Sequence, residues 1–235
     1  MRTILLMRGS GLMSQKKKTD LLVRAVLVII GTIFIGVAVG IFQSAKLGCD
    51  PFSCMNTGVS RRIGWSYSAW QLLVNLVLFI PTLLFFRKAI GFGTVFNMVF
   101  VGIFADLSRP FFQMIINDNI ILRFIAMLFS VCLLCFGVSL YVAANMGISP
   151  YDALSYILEK YFKLNFSWFR IMTDVLCVTV GVIFGIMGGY LWEIVGVGTV
   201  ITACGTGPVV RFFDKKIVHP FVIKLLSKGS RKSEK

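Results

Sequence analysis

Six long apolar segments, separated by short polar ones, make up most of the chain. Each has about the length that an α-helix needs to cross roughly 30 Å of hydrocarbon, at 1.5 Å per residue. The pattern therefore predicts an all-α integral membrane protein with six transmembrane helices. The predicted spans are Ala25–Ala45, Ala69–Phe86, Gly91–Leu107, Phe124–Ala144, Ile171–Trp192 and Ile194–Phe213.

Two parts of the sequence resemble each other at a spacing of roughly 100 residues, which indicates an internal repeat. Gly48-Cys-Asp-Pro-Phe-Ser aligns with Gly147-Ile-Ser-Pro-Tyr-Asp, and a Gly-x-Gly-Thr sequence starts at both Gly91 and Gly196. Each half contains three spans, so the second copy would be inverted relative to the first. The predicted organisation is a basic N-terminal segment (1–20), two membrane repeats (21–112 and 113–213) and a basic tail (214–235).

A short helix is predicted after the first span of each half, starting at Asp50-Pro51 and at Ser149-Pro150. Asp and Ser are good N-caps, and proline at the first helical position leaves no donor unpaired. Each of these helices is at most about 20 Å long, too short to cross the bilayer. They are either interfacial helices or re-entrant half-helices, and a capped connector without a functional role is a further alternative.

Composition and charge exclude a soluble protein and favour one orientation. The chain is 57% hydrophobic and 14% charged, with a net charge of +14. No basic module interleaved with aromatic residues accompanies this charge, so nucleic-acid binding is not expected. Of the 24 Lys and Arg residues, only five lie on one side of the predicted spans: Lys46, Arg61, Arg62, Arg109 and Arg123. The positive-inside rule then places both termini in the cytoplasm, with the basic tail near anionic lipid or in solvent.

Polar residues inside or beside the spans are the candidates for a binding site. Asp174 lies in the fifth span, where an ionisable group is costly and normally faces a partner or a polar cavity. It is four residues after Arg170, so an ion pair within the helix is an alternative explanation. Asn75 occupies the corresponding position of the first half. The threonines of the Gly-x-Gly-Thr sequences can line a path or simply pack. The candidate substrate-binding residues are Asp50, Asn75, Thr94, Asp152, Asp174 and Thr199.

The sequence lacks the residue combinations that enzymes commonly use for catalysis. The one histidine, His219, lies in the tail, so His-based metal sites and Ser-His-Asp triads are not available. Four of the six cysteines fall in apolar runs, and a disulfide between Cys49 and Cys54 is an alternative to two free thiols. We therefore expect no enzyme activity, no cofactor and no metal.

The segment from Gly137 to Asp152, together with the repeated Gly-x-Gly-Thr, resembles the YczE and YitT-like small bacterial membrane proteins. The resemblance implies a bacterial plasma-membrane location and a fold, but it supplies no substrate and no functional residues. Ser53 stands where the second half has Asp152, so a symmetric site with two acids is not expected.

Two functional hypotheses follow from these features. The first is a permease, or a substrate-binding membrane component, for a small solute, with an anion as one candidate and a site between the two halves. The second is a non-transporting accessory protein that binds a partner through its tail or loops. A homo-oligomer or a separate partner subunit fits either hypothesis, and the absence of an ATP-binding motif would leave active transport to an ion gradient or a separate motor.

Overall fold

The computed structural model describes residues 2–116, 119–162, 166–222, 224 and 225, with side chains from residue 20 onward apart from Phe166. Six of its helices are long and apolar enough to cross a membrane, as predicted. The elements in chain order are α1 (Arg2–Ala45), α2 (Pro51–Ile63), α3 (Tyr67–Phe85), a 3-10 turn (Arg87–Ala89), α4 (Phe92–Ile115), α5 (Ile120–Ala144), α6 (Pro150–Phe162), α7 (Phe166–Gly188), the single turn α8 (Leu191–Ile194), α9 (Val197–Phe213) and a π-helical turn (Asp214–Val218).

The predicted third span is too short. It was expected to end at Leu107, before Arg109 and Pro110, but α4 stays helical to Ile115 with Pro110 inside it. A proline removes one helical hydrogen bond, and a helix can continue past it when its other contacts hold.

Helices α1 and α5 form an antiparallel pair at the centre of the bundle. They cross at Gly31 and Gly137, where a Cβ on Gly31 would lie 2.8 Å from the carbonyl oxygen of Gly137. On one side of this crossing Arg24 donates to the carbonyl of Ala144 at 3.0 Å. On the other side Ser130 donates to the carbonyl of Ala38 at 2.6 Å. Two glycines are required here because the backbones approach too closely for any side chain.

The α1/α5 pair defines two ends of the bundle, which we call the Gly48 end and the Gly147 end. Helix α1 finishes at the Gly48 end, where Gly198 donates from its backbone to the carbonyl of Leu47 at 2.8 Å. Helix α5 finishes at the Gly147 end, beside Arg24. The stretch of α1 from Arg24 to Ala45 is about 32 Å long, the thickness of a bilayer core.

The start of the first span and the segment after α9 both lie at the Gly147 end. Val218 and Val222, after α9, pack in one cluster with Leu27 and Val28 near the start of the first span. The even number of spans accounts for this shared side.

Helix α2 starts inside the bundle and runs outward to the Gly48 end. Its last turn carries Arg61, which pairs with Glu193 at 2.8 Å. The same carboxylate lies 3.5 Å from Lys46, which directly follows α1. Pro51, ten residues before Arg61, lies about 15 Å from it along the helix axis, at the buried inner end of α2.

Helix α6 repeats this arrangement from the opposite end. Tyr161 in its last turn stacks edge-on against Phe85, at the end of α3, with ring centroids 5.4 Å apart. Its first turn meets the first turn of α2, where the rings of Phe52 and Tyr151 are stacked with centroids 4.6 Å apart. Both short helices therefore start inside the bundle, with their first turns in contact.

Each short helix packs on a long helix of the other half of the sequence. Helix α2 lies against α7, where a Cβ on Gly181 would be 3.0 Å from the backbone carbon of Cys54. Helix α6 lies against α3 in the same manner. The two halves are therefore interlocked, and the starts of α2 and α6 are buried between them.

Candidate functional site

The paired helix starts are built as the sequence predicts. Asp50 caps α2 by accepting a hydrogen bond from the backbone N–H of Ser53 at 3.1 Å. Ser149 caps α6 by accepting from the N–H of Asp152 at 3.2 Å. Because each cap satisfies an orphan donor of its own helix, part of the positive potential of both helix ends is already compensated.

An ionic cluster lies beside these helix starts, and we call it the Asp-Arg cluster: Tyr151, Asp152, Arg170 and Asp174. The Arg170 guanidinium donates to Asp152 and its Nε lies 3.4 Å from Asp174 Oδ1. Tyr151 donates its hydroxyl hydrogen to Asp174 at 2.5 Å. The guanidinium also lies over the Tyr151 ring, 4.6 Å from its centroid. The predicted ion pair between Arg170 and Asp174 is present, and it is one part of a larger network.

The cluster is partly accessible and carries more acid than base. The side chains of Arg170, Asp152 and Asp174 are 36%, 35% and 21% exposed. Asp50 lies within electrostatic range of Asp174 and Arg170. Its Oδ2 is buried and makes no hydrogen bond within the described part of the chain. One guanidinium therefore pairs with two carboxylates, with Asp50 as a third acid nearby, an arrangement that attracts a cation or a proton more readily than an anion.

The corresponding positions of the first half hold neutral side chains. Counting 99 residues back from Asp152, Arg170 and Asp174 gives Ser53, Gln71 and Asn75. These three are almost completely buried, with exposed fractions of 2%, 4% and 4%. Ser53 shares a hydrogen bond with the hydroxyl of Tyr67 at 3.1 Å. The polar residues around the two helix starts are thus similar in position and different in charge.

The structure separates the predicted threonines from this cluster. Thr94 donates to the carbonyl of Ala89 at 3.3 Å, near Gly147. Thr199 donates to the carbonyl of Ile194 at 3.3 Å, near Gly48. Both close a backbone junction, one at each end of the bundle. Of the six predicted residues, Asp152 and Asp174 are joined through Arg170, Asp50 lies nearby, and Asn75 is buried on α3.

Tyr151 was not among the site residues predicted from the sequence, and Arg170 was predicted only as a partner for Asp174. The available signal was the alignment of Tyr151 with Phe52, which places two aromatic residues at equivalent helix starts. Within the described ranges, no group of three or more His, Cys, Asp or Glu side chains is placed to hold a metal ion. Cys49 and Cys54 are free thiols with their sulfurs 3.4 Å apart.

The two junctions use the same contacts. At the Gly147 end, Gly93 N–H donates to the carbonyl of Met146 at 2.8 Å and Ile148 N–H to that of Ala89 at 3.0 Å. At the Gly48 end the equivalent bonds run from Gly198 to Leu47 and from Cys49 to Ile194, at 2.8 and 3.1 Å. Gly147 and Gly48 have positive φ values, +124° and +95°.

Replacing Gly147 by alanine is expected to lower the free energy of unfolding by at least about 2 kcal/mol, because left-handed backbone disfavours a Cβ. That Cβ would also lie 2.8 Å from the backbone nitrogen of Gly91. Gly64→Ala is the matched control, since Gly64 has φ +74° but a Cβ there meets nothing within 4 Å. Thermal unfolding of the purified variants measures the difference. Equal losses for the two variants would mean that the junction contact contributes nothing.

A cavity of about 550 Å³ opens at the Gly147 end, beside the start of α4. Its lining includes the cations of Arg24 and Lys88 and, among the described residues, no carboxylate. It is thus electrostatically distinct from the Asp-Arg cluster between α6 and α7.

Comparison with known proteins gives a family without an assigned activity. The chain is 28% identical to the "Uncharacterized membrane protein YczE" of Bacillus subtilis (strain 168) over 200 residues, which cover 83% of this chain and 87% of that protein. It is 24% identical over 199 residues to the "Uncharacterized protein YyaS" of the same organism, covering 83% and 94% of the two chains. An "Uncharacterized protein" of Haemophilus influenzae is 26% identical over 183 residues, covering 76% and 78%.

No solved structure matches the chain. The relatives and the six apolar helices make it a multi-pass membrane protein in contact with the lipid bilayer. Residues 22–215 match a family described as "Family of unknown function (DUF6198)". This match spans most of the sequence, and the chain therefore belongs to that family.

Proposed function

We propose that this protein is a permease of the bacterial plasma membrane that moves a small polar solute between its two halves. The observation that carries the proposal is the stack of Phe52 on Tyr151, which joins two capped helix starts that are buried between the two halves. Discontinuous helices that meet near the midplane are where secondary transporters bind their substrates. The Asp-Arg cluster beside this stack supplies polar groups for a solute.

The proposed architecture is an inverted duplication with both termini in the cytoplasm. Its support is the matched pair of junctions, the 99-residue correspondence of α2 with α6, and the crossing of the halves at Gly31 and Gly137. The excess of Lys and Arg at the Gly147 end supports the orientation through the positive-inside rule. The basic tail and the Arg24 cavity would then face anionic lipid.

The charge of the cluster favours a solute with a positively charged group. From the sequence, an anion was a candidate solute because helix N-termini attract negative charge. In the folded protein Asp50 and Ser149 cap those termini, and the acids around Arg170 outnumber it. An amine or another organic cation would compensate the excess carboxylate charge, whereas an anion would have only Arg170, which is already paired.

Asp174→Asn is expected to abolish solute binding while leaving the protein folded. A panel of amines, amino acids, organic acids and inorganic ions is screened for its effect on the melting temperature of the purified protein. Compounds that raise it are then tested for uptake into proteoliposomes. We expect amine-bearing compounds to stabilise the wild type and to lose that effect in the variant.

Asp106→Asn is the matched control. It makes the same chemical change on α4, where Asp106 accepts a hydrogen bond from the N–H of Ser68 at 2.9 Å. Asparagine can still accept this bond, so binding should persist. A panel without any stabilising compound, or stabilisation that survives Asp174→Asn, would contradict the proposed site.

A further inference from the structure

The two halves differ in how their last helix packs. In the first half, α4 lies against α3, where a Cβ on Gly102 would be 2.7 Å from Ser68 Cα. Asp106, one turn further, accepts a hydrogen bond from Ser68 N–H at 2.9 Å. In the second half, Gly207 is the position that corresponds to Gly102, and a Cβ there meets nothing within 4 Å. Among the described residues, α9 makes few contacts with α7.

The burial of side chains differs between α4 and α9 in the same way. Met98 and Ala105 on α4 are 7% and 0% exposed. Their counterparts 105 residues later, Ala203 and Val210, are exposed and half-buried. The first turns of α9 are packed as tightly as those of α4, with Thr199 and Thr202 buried. Helix α9 therefore follows the arrangement of α4 at its start and diverges from it after about residue 203.

Two glycines of α9, Gly205 and Gly207, make no close packing contact in this conformation. Each costs the helix about 1 kcal/mol relative to alanine, yet a Cβ on either would meet no described atom within 4 Å. At Gly102, the absence of a side chain allows direct contact with the neighbouring helix. Pro208, next to Gly207, removes a helical hydrogen bond and a π-helical turn follows at Asp214–Val218. Both features allow the end of α9 to bend.

We infer that the protein alternates between two conformations and that the structure shows one of them. In the other, α9 packs on α7 with Gly207 against Ser167, as Gly102 packs against Ser68 here, and α4 leaves α3. The biological role of this conformational change rests on the proposed function. Packing of α9 would cover the Asp-Arg cluster on α7, and departure of α4 would open the neutral residues Ser53 and Gln71. Access would pass from one end of the bundle to the other.

Disulfide cross-linking tests this second conformation. Ser167→Cys and Arg211→Cys are combined in a protein whose exposed Cys132 and Cys204 are changed to serine. The control pair is Ser68→Cys with Asp106→Cys, at the equivalent positions, which already touch in the structure. Membrane vesicles are treated with copper phenanthroline, and the products are identified by gel mobility and mass spectrometry. We expect both pairs to form an intramolecular disulfide, the control pair faster.

Gly207→Leu provides a second variant whose folding is not at risk, since its side chain enters open space here. It should not lower the melting temperature and should reduce the Ser167/Arg211 disulfide at least tenfold, because leucine blocks close approach of α9 to α7. The inference is overturned if only the control pair reacts, if the disulfide forms between two copies of the chain, or if Gly207→Leu does not reduce it.

This experiment needs no solute, so it can fail or succeed apart from the permease proposal. If the disulfide forms and Gly207→Leu abolishes it, but no compound of the panel binds, the two conformations are supported and the proposed solute is rejected. If the protein takes up a solute but the disulfide does not form, the permease is supported and the exchange of α4 and α9 is rejected.

Discussion

Arg170→Gln is expected to lower the free energy of unfolding by about 2 kcal/mol, although glutamine is the residue at the corresponding position 71. Removing the guanidinium leaves Asp152 and Asp174 without their cation. Loss of one partner from a fully buried ion pair costs about 3 to 5 kcal/mol, and exposed pairs contribute less than 1. The side chains of Asp152 and Asp174 are 35% and 21% exposed, so an intermediate value applies. Reversible unfolding in detergent, followed by circular dichroism, measures the change.

The control is a triple variant that converts the cluster to the residues of the first half: Asp152→Ser, Arg170→Gln and Asp174→Asn. It removes the two acids that Arg170 pairs with together with the cation, so most of the lost stability should return. Solute binding should not return with it, because Asp50 alone remains of the three carboxylates. A triple variant no more stable than Arg170→Gln alone would show that Arg170 acts through packing on Tyr151 and not through charge.

The spans and helix starts could be predicted because they depend on local sequence. An apolar run of about 20 residues has few alternatives to a transmembrane helix. The Asp50-Pro51 and Ser149-Pro150 pairs likewise specify a capped start from two adjacent residues. The depth of the short helices could not be predicted in this way. It depends on Arg61 meeting Glu193 and on Phe52 meeting Tyr151, contacts between residues about 100 or more positions apart.

The candidate site was predictable to the same extent. Arg170 and Asp174 are one helical turn apart, so their pairing follows from helix geometry. Asp152 and Tyr151 join them from α6, and only the packing of α6 beside α7 brings the two helices together. From the sequence, Thr94 could either line a path or pack, and in the structure its hydroxyl bonds to Ala89 O at a junction. A hydroxyl in a glycine-rich segment serves either role, and the backbone acceptors nearby decide between them.

The crossing of α1 and α5 should be the position least tolerant of a side chain. Gly137→Leu is expected to lower the free energy of unfolding by at least about 3 kcal/mol, more than ordinary overpacking, because backbone atoms cannot repack as side chains do. A Cβ at Gly137 would lie 2.9 Å from the carbonyl oxygen of Gly31 and 3.0 Å from the nitrogen of Ile35. In this variant the central helices would separate, and the contacts on both sides of the crossing would weaken with them.

The matched control for Gly137→Leu is Gly205→Leu, also a glycine in a transmembrane helix, where a Cβ meets nothing within 4 Å. Leucine gains helix propensity over glycine by about 1 kcal/mol in both variants, so their difference reports the crossing alone. The measurements are the yield of monodisperse protein on size-exclusion chromatography and its melting temperature. We expect Gly137→Leu to aggregate or to melt well below the wild type while Gly205→Leu matches it. If Gly137→Leu were as stable as the control, α1 and α5 would not cross at these two glycines, and the central pair that positions both short helices would have to be placed differently.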